Sequence, residues 1–398
     1  MFFNPVGLHM ADLDVSIVIP CLNEEKTLGR ALDMAKEAIQ RSGMNGEVVV
    51  ADNGSTDASR AIATGAGARV VPVTQRGYGY ALIHGIRQSR GRYVIIGDAD
   101  ATYDFREAVP FLGALRQGAD LVAGSRFKGG IAPGAMPFLH RWLGTPVLTF
   151  LINLFFGTRI SDCNCGMRAF TRQAFDKMHL ISGGMEFIGE MIIKAGIYKL
   201  KVVELPCRLE KDTRGKPPHL KTWRDGWRNL RFILLFAPHV VFTIPGWILL
   251  LIGALITVLV LPGQFQWGRF RMDYHYLFYS IPMVLVGYQA LWLAQFERYF
   301  VAFAGYFPGD TDNPKKESDP EFNLELWLIM GALLLLGGIA DLAYLVIKWI
   351  SISFGEMFLI RPGAIGMLLL LLGIQTMMSA LMISMMSMKI DKRSAGAE

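Results

Sequence analysis

The sequence predicts an α/β protein built on a doubly wound, mostly parallel sheet, followed by an interfacial helix and an all-α transmembrane region of about four helices. Three observations carry this expectation. Up to about Arg231, short β-branched runs alternate with segments whose apolar residues recur at helical spacing. Beyond Phe232 charge thins out and long apolar runs take over, which accounts for the mean hydropathy of +0.34. Between the two halves lies a basic stretch with tryptophans spaced for one helix face. The 398 residues divide accordingly into 1–220, 221–238 and 239–398.

Residues 15–20 (VSIVIP) form a first strand, with Asn23, Glu24 and Glu25 beyond its carboxyl end. Leu28, Ala31, Leu32, Ala35 and Ile39 then mark a helix over 27–41, closed by Gly43 and Gly46. A second strand over 47–51 leads into the turn 52–57 (DNGSTD), where Ser55 or Thr56 is placed to cap the next helix. The third strand, 68–73, precedes Gly77-Tyr78-Gly79 and another helix. The fourth, 92–96, is apolar and β-branched enough to be buried on both faces, and it ends in Gly97-Asp98-Ala99-Asp100. Residues 120–124 form a further strand ending at Ser125-Arg126, and a helix opens within 184–190 and runs to about 195.

In such sheets ligands bind outside the carboxyl ends of the strands. Residues 20–24, Asp52, residues 77–81 and the Asp98/Asp100 pair all fall there. Two carboxylates at i and i+2, where a strand stops and the backbone bends, can converge on one hard cation. Oxygen donors suit Mg²⁺ or Mn²⁺, with open positions left for water and substrate phosphates. Gly77-x-Gly79 lacks the third glycine of a dinucleotide fingerprint, yet two glycines let the backbone approach a phosphate or ribose. Arg126, at a strand end, can grip a phosphate with both arms of its guanidinium. A solvated acidic loop, a plain tight turn and a surface arginine are the alternatives to these three readings.

Composition narrows the partners. A net charge of +6 combined with long apolar runs fits anionic lipid head groups or phosphorylated substrates, and no nucleic-acid-binding signature accompanies it. Cys21, Cys163, Cys165 and Cys207 offer no pair of pairs at zinc-site spacing, so reduced thiols are expected. The first residues (MFFNP) lack a basic region followed by an apolar core, and no signal peptide is read there.

Six segments stand in the order found in family 2 glycosyltransferases of the GT-A fold. They are Ile19-Pro20-x-x-Asn23-Glu24-Glu25, Asp52-Asn53-Gly54-Ser55-x-Asp57, Gly77-x-Gly79-x-Ala81, Gly97-Asp98-Ala99-Asp100, Gly124-Ser125-Arg126 and Asp162-x-x-x-Gly166-x-Arg168-Ala169-Phe170. Over roughly 15–236 the chain resembles the polyprenyl-phosphate branch of that family, which includes enzymes similar to dolichol-phosphate mannose synthase. The resemblance implies a nucleotide site made by Pro20, Leu22, Glu24 and Asp52, with Gly77 and Gly79 beside it. It implies that Asp98 and Asp100 bind Mg²⁺ or Mn²⁺ together with the diphosphate of the donor. Many relatives place a Gln two residues past the second Asp; Thr102 stands there in this chain, so a hydroxyl or a water is expected instead.

The implied reaction moves a sugar, with inversion, from a UDP- or GDP-linked donor to a polyprenyl phosphate. That acceptor is already an anion, so no residue has to remove a proton. Catalysis then rests on a Lewis-acid cation, positioning and electrostatics. Arg126, Arg168 and Arg214 are the implied catalytic cations. Family members carry an Arg and then Ser-Lys-Leu in the loop matching 209–220. Here Arg214 fits, while Pro218-His219-Leu220 replaces the tripeptide, leaving His219 or Lys216 to join Arg126 and Arg214 at the lipid phosphate. A homo-oligomer is compatible with this reading. A processive polysaccharide synthase is the rival, although its usual Gln-x-x-Arg-Trp is absent from the chain; an inactive membrane scaffold is another.

Trp223, Trp227 and Leu230 lie at i, i+4 and i+7 with arginines between them, the pattern of a helix at a bilayer surface or of a soluble amphipathic helix. The apolar stretches 240–261, 274–296, 326–347 and 357–388 are each long enough to cross a bilayer. Asp341 should face another helix, and Arg361 should reach for the interface. Four spans return the chain to its starting side. The catalytic half and both termini are therefore expected in the cytosol, at the plasma (inner) membrane if the source is bacterial. Lys315, Lys316 and residues 389–393 agree with that orientation, whereas Arg269, Arg271 and Lys348 fall outside.

Overall fold

The computed structural model describes residues 13–214, 222–303 and 322–387. The chain forms two units, one up to Phe236 and one from Ala237 onward.

The first unit is organised by a seven-stranded sheet. Its strands are β1 (Val15–Cys21), β2 (Gly46–Asp52), β3 (Arg69–Pro72), β4 (Tyr93–Ile96), β5 (Leu121–Ser125), β6 (Arg168–Thr171) and β7 (Val202–Pro206), in the spatial order β3-β2-β1-β4-β6-β5-β7. Only β6 runs against its neighbours β4 and β5; the other pairings are parallel. Ile17, Ile19, Val94 and Ile96 are fully buried because helices cover both faces of the central strands. These helices are α1 (Leu28–Ser42), α2 (Ser59–Gly65), α3 (Tyr78–Gln88), α4 (Val109–Arg116), the single turn α5 (Arg126–Gly129), α6 (Thr145–Phe156), α7 (Arg172–Met178), α8 (Glu186–Ile197) and α9 (Thr222–Leu235). The sheet winds outward from β1 to β3 and then returns to place β4 on the other side of β1. That reversal opens a crevice at the carboxyl ends of β1 and β4, where the motifs lie.

In the first unit, besides the short helices α4, α5 and α7, which the sequence did not signal, the structure departs from the expected elements in three places. Strands β6 and β7 were not anticipated: β6 is four residues long and begins with an arginine, and β7 is a half-exposed edge. Neither Ser55 nor Thr56 caps α2, which starts later, at Ser59. Asp57 accepts from the Ser59 N–H instead, while the Ser55 hydroxyl accepts from the Asn23 N–H. Helix α6, also unanticipated, carries an apolar face that stays exposed: Phe150 is 63% accessible, and Trp142, in the turn before it, 64%.

The second unit holds four helices long and apolar enough to cross a membrane among the described residues: His239–Val260, Tyr274–Phe300, Leu324–Ser351 and Ile360–Met386. They overlap α10 (Ile244–Val260), α11 (Leu277–Phe303), α12 (Leu324–Ser351) and α13 (Ile360–Ser387). A small hairpin, β8 (Phe265–Trp267) with β9 (Phe270–Met272), joins the first two. Asp341 lies against Gly366 of α13, as a carboxylate in an apolar span must find a neighbour. Arg361 does not simply reach outward. Its Nε donates to the Val260 carbonyl at 3.1 Å and its Nη2 pairs with Asp273, tying the start of α13 to the end of α10 and the β8–β9 hairpin. Lys315, Lys316 and residues 389–393 lie outside the described residues, as do Lys216 and His219.

Candidate active site

The crevice is assembled by loops that leave the parallel strands and bond to one another. After β1, Asn23 takes a left-handed backbone (φ 58°), and its Oδ1 accepts from the Thr56 N–H at 2.8 Å. The Glu24 N–H donates to Ser59 Oγ at 2.9 Å, which turns the Glu24 side chain toward the crevice. Asp52, buried at the end of β2, accepts from the N–H groups of Gly54 and Ser55 and from Arg60 Nε at 2.6 Å. Asn53 continues the chain of contacts: its Oδ1 accepts from the Gly77 N–H at 2.7 Å. Pro20 is half-buried and Leu22 exposed at the same strand end.

Gly77 and Gly79 earn their place through the chain itself. A Cβ on Gly79 would stand 2.0 Å from the Ser182 carbonyl oxygen, and one on Gly77 2.2 Å from that of Gly183. The Gly79 N–H donates to the Gly183 carbonyl at 2.9 Å. The space that the two glycines open is thus filled by the 182–184 segment. Buried Glu190 anchors this segment by accepting from the Ile181 and Ser182 N–H groups, and it is ion-paired with Lys194.

The acidic pair sits where the expected bend occurs. Ala101 adopts a left-handed backbone (φ 56°), a conformation that costs a residue with a Cβ and that concentrates at working sites. Asp98 Oδ1 accepts from the Tyr78 hydroxyl at 2.9 Å. Its other oxygen occupies the room left by Gly166, where a Cβ would come within 2.7 Å. Burial pushes the Asp98 carboxyl up to about 7 and the nearby Asp100 charge adds to the rise, with Tyr78, Arg214 and Arg126 pulling against it. Asp100 Oδ1 accepts twice from Thr102, from its N–H at 3.0 Å and its hydroxyl at 2.6 Å. Asp100 Oδ2 faces Arg214 Nη2 at 3.5 Å.

The three arginines have different surroundings. Arg214 is drawn into the crevice, where Nη1 meets Glu24 Oε1 at 2.6 Å and Nη2 meets Asp212 Oδ2 at 2.8 Å. Arg126 forks onto buried Asp162, at 2.7 and 2.8 Å. It also lines a cavity of about 460 Å³ whose other walls include Leu139, Leu143, Leu148, Ile188, Trp227 and Leu230. Arg168 departs from expectation. It is 0% exposed and its donors are spent on the carbonyls of Cys163, Cys165 and Ile188, so it braces the loop before β6 and reaches no ligand surface.

This donor set suits a hard divalent cation. No group of three or more His, Cys, Asp or Glu closes on a point among the described residues. Mg²⁺ typically takes only one or two carboxylates and leaves the rest of its shell to water and phosphate. The guanidinium of Arg214, seated beside Asp100, is a stand-in showing that the spot favours positive charge. Sequence reasoning missed Tyr78 and Asp212. Tyr78 was read only as the spacer between two glycines, and Asp212 gave no signal beyond its place two residues before Arg214.

Comparison with known proteins places the chain. The model for Glycosyl transferase family 2 matches residues 16–178, and that for the Glycosyltransferase family 2 C-terminal transmembrane region matches residues 309–387. The low-salt glycan biosynthesis hexosyltransferase Agl6 of Haloferax volcanii is 35% identical over 380 residues, covering 92% of this chain and 89% of that protein. The dolichyl-phosphate hexose transferase of the same organism is 29% identical over 195 residues, covering 48% of this chain and 81% of that protein. Among solved structures, glucosyl-3-phosphoglycerate synthase from Mycobacterium tuberculosis matches with 22% identity and a TM-score of 0.46, over 57% of this chain and 81% of its own. With a relative this similar over nearly the full length of both chains, and with the family's transmembrane region following the catalytic unit, the chain is a membrane-integral glycosyltransferase that belongs to family 2.

Proposed function

We propose that the protein transfers one sugar, with inversion, from a UDP- or GDP-linked donor to a polyprenyl phosphate at the cytosolic leaflet, with Mg²⁺ or Mn²⁺ bound at Asp98 and Asp100. One observation carries the choice of acceptor: an apolar cavity of about 460 Å³ with an arginine in its wall. Its lining of Leu139, Leu143, Leu148, Ile188, Trp227 and Leu230 fits an isoprenoid chain, and Arg126 supplies the charge for the phosphate at its head. The exposed apolar residues of α6 and the exposed Trp227 of α9 suit the same acceptor, because both can meet a bilayer surface. The activity named for the dolichyl-phosphate hexose transferase relative supports a lipid phosphate as well.

The chain's own groups then have the following tasks. Glu24 and Asp52, fixed by Ser59 and Arg60, flank the nucleotide at the ends of β1 and β2. Tyr78 holds Asp98 Oδ1 and Thr102 holds Asp100 Oδ1, so Oδ2 of each carboxylate is the oxygen left for a cation. A divalent cation bound there would act as a Lewis acid, offsetting charge on the departing diphosphate. Arg126 and Arg214 neutralise the phosphate of the acceptor, which attacks as the anion it already is and needs no general base.

The test is a donor screen with the full-length protein in detergent and an added polyprenyl phosphate. A labelled sugar should move into the organic phase from one nucleotide donor, stop in EDTA and resume with Mn²⁺ or Mg²⁺. Transfer that persists in EDTA removes the metal from the proposal, and sugar released only into water removes the lipid acceptor.

A further inference from the structure

Arg214 is surrounded by three carboxylates. Its Nη1 is 2.6 Å from Glu24, its Nη2 is 2.8 Å from Asp212 and 3.5 Å from Asp100, and its Nε is 3.0 Å from both oxygens of Asp212. The side chain is only 11% exposed. Asp100 Oδ1 is already engaged by Thr102, so the guanidinium covers the one oxygen that Asp100 has left for a cation. A cation coordinated there would stand about 2 Å from that oxygen, and two positive charges cannot share the position without strong repulsion. Asp212 lies on the same segment as Arg214, two residues away, whereas Glu24 and Asp100 belong to the donor crevice. The guanidinium can therefore leave Glu24 and Asp100 while keeping Asp212.

We propose that Arg214 is the resident counter-ion of the donor site, holding Asp100 and Glu24 in the empty protein and displaced when the metal enters with the nucleotide diphosphate. Building on the transfer reaction proposed above, this exchange frees Arg214 for the acceptor phosphate only once the donor has loaded. Arg214 thus links the order of binding to the chemistry.

The experiment is a Mn²⁺ titration of the full-length protein followed by electron paramagnetic resonance, alone and with saturating UDP, with GDP as a parallel arm. Without nucleotide, Arg214→Ala should bind Mn²⁺ about tenfold more tightly than wild type, and Arg214→Lys should lie between them. With nucleotide bound, the difference should shrink to twofold or less, because wild-type Arg214 has already left. Equal affinities without nucleotide overturn the exchange while leaving the metal reading intact. A difference that persists unchanged with nucleotide also overturns it, since that is what a fixed positive charge would give. If wild type binds no Mn²⁺ even with UDP or GDP, the metal reading fails and the exchange fails with it.

A second observation stands independently in the transmembrane unit. Gly246 and Gly253 of α10 recur at Gly331 and Gly338 of α12, 85 residues on, and Ser280 and Gly287 of α11 recur at Gly366 and Gly373 of α13, 86 residues on. The packing repeats with the spacing. A Cβ on Gly287 would lie 2.5 Å from Leu250 N and 2.7 Å from Gly246 O; one on Gly373 would lie 2.5 Å from Leu335 N and 2.7 Å from Gly331 O. Likewise a Cβ on Gly253 meets Ser280 O at 2.7 Å, and one on Gly338 meets Gly366 O at 2.7 Å. Small residues let each pair of helices touch backbone to backbone. Gln289 of α11 and Gln375 of α13, again 86 apart, hydrogen-bond to each other. Equivalent residues that meet one another mark a two-fold axis.

From this we infer that the transmembrane unit is two tandem copies of one helical hairpin, paired through the α11–α13 face as two subunits of a dimer would be. The chain itself then fills the face through which a single hairpin would bind a second copy. In membranes, Gln289→Cys/Gln375→Cys should be joined within one chain by a short bismaleimide, and so should Tyr288→Cys/Thr376→Cys, whose native side chains are 2.7 Å apart. The four native cysteines are buried in the first unit and do not compete. Crosslinked dimers from Gln289→Cys alone, or no crosslink within the chain from either pair, would overturn the inference.

Discussion

The Tyr78 hydroxyl donates to Asp98 Oδ1 at 2.9 Å, joining the first residue of α3 to the acidic loop after β4. Asp98 is largely surrounded by protein, so this bond helps fix the orientation of its carboxylate. Hydrogen bonds to charged groups contribute about 1.5–3 kcal/mol. Tyr78→Phe should therefore raise the Mn²⁺ concentration needed for half-maximal transfer by about tenfold, with a smaller loss of kcat at saturating metal. An unchanged metal requirement would show that Asp98 is held by other means.

Replacing either carboxylate by alanine addresses the pair directly. Asp98→Ala and Asp100→Ala should each reduce transfer by at least about 100-fold, the scale seen when one group that stabilises developing charge is lost. The far-ultraviolet circular dichroism should stay as in wild type, because both side chains border the crevice and neither builds the apolar core. Wild-type rates in either variant would exclude the pair from the chemistry.

Gly79 tests the packing beneath the site. A Cβ there would meet the Ser182 carbonyl at 2.0 Å, and a backbone atom cannot step aside as a flexible side-chain end can. Gly79→Ala should lower the stability of the first unit by about 2 kcal/mol or more, read as a lower midpoint in thermal or denaturant unfolding. A midpoint equal to wild type would mean that the 182–184 segment relaxes freely.

Topology follows from the proposed cytosolic placement of the catalytic unit. If the four apolar helices all cross the membrane, that placement predicts the β8–β9 hairpin on the opposite, non-cytosolic side. Gln264→Cys in sealed cells should react with an impermeant thiol reagent, and Ser394→Cys should react only after lysis. Labelling of position 394 from outside would reverse the orientation.

Much of the fold was legible because its elements carry strong periodic signals. The apolar strands β1 and β4, the helical spacing in α1 and the four long apolar runs are each produced by burial on one side, on both sides, or in lipid. What escaped has little burial pattern of its own. β6 opens with Arg168, a charged residue made acceptable in the core by three carbonyls, those of Cys163 and Cys165 in the loop just before it and that of Ile188 in α8. The apolar face of α6 looks like core in sequence, and only its exposure distinguishes it.

The site was legible as residue types at strand ends, and less so as partners. Asp98, Asp100, Glu24 and Arg214 do come together, although nothing in the sequence links Glu24 to an arginine 190 residues away. Arg168 failed as a ligand contact for the same reason: a motif gives a position, and the three-dimensional surroundings decide whether its side chain faces solvent or carbonyls.

The central claim is that the crevice delivers one sugar to a polyprenyl phosphate, and the mass of the lipid product tests it most directly. Full-length protein, a single nucleotide-sugar donor, Mn²⁺ and a polyprenyl phosphate should yield a lipid phosphate carrying one sugar residue, absent from the Asp100→Ala control. A ladder of lipids carrying several sugars, or consumption of the donor with the polyprenyl phosphate left unmodified, would contradict the account.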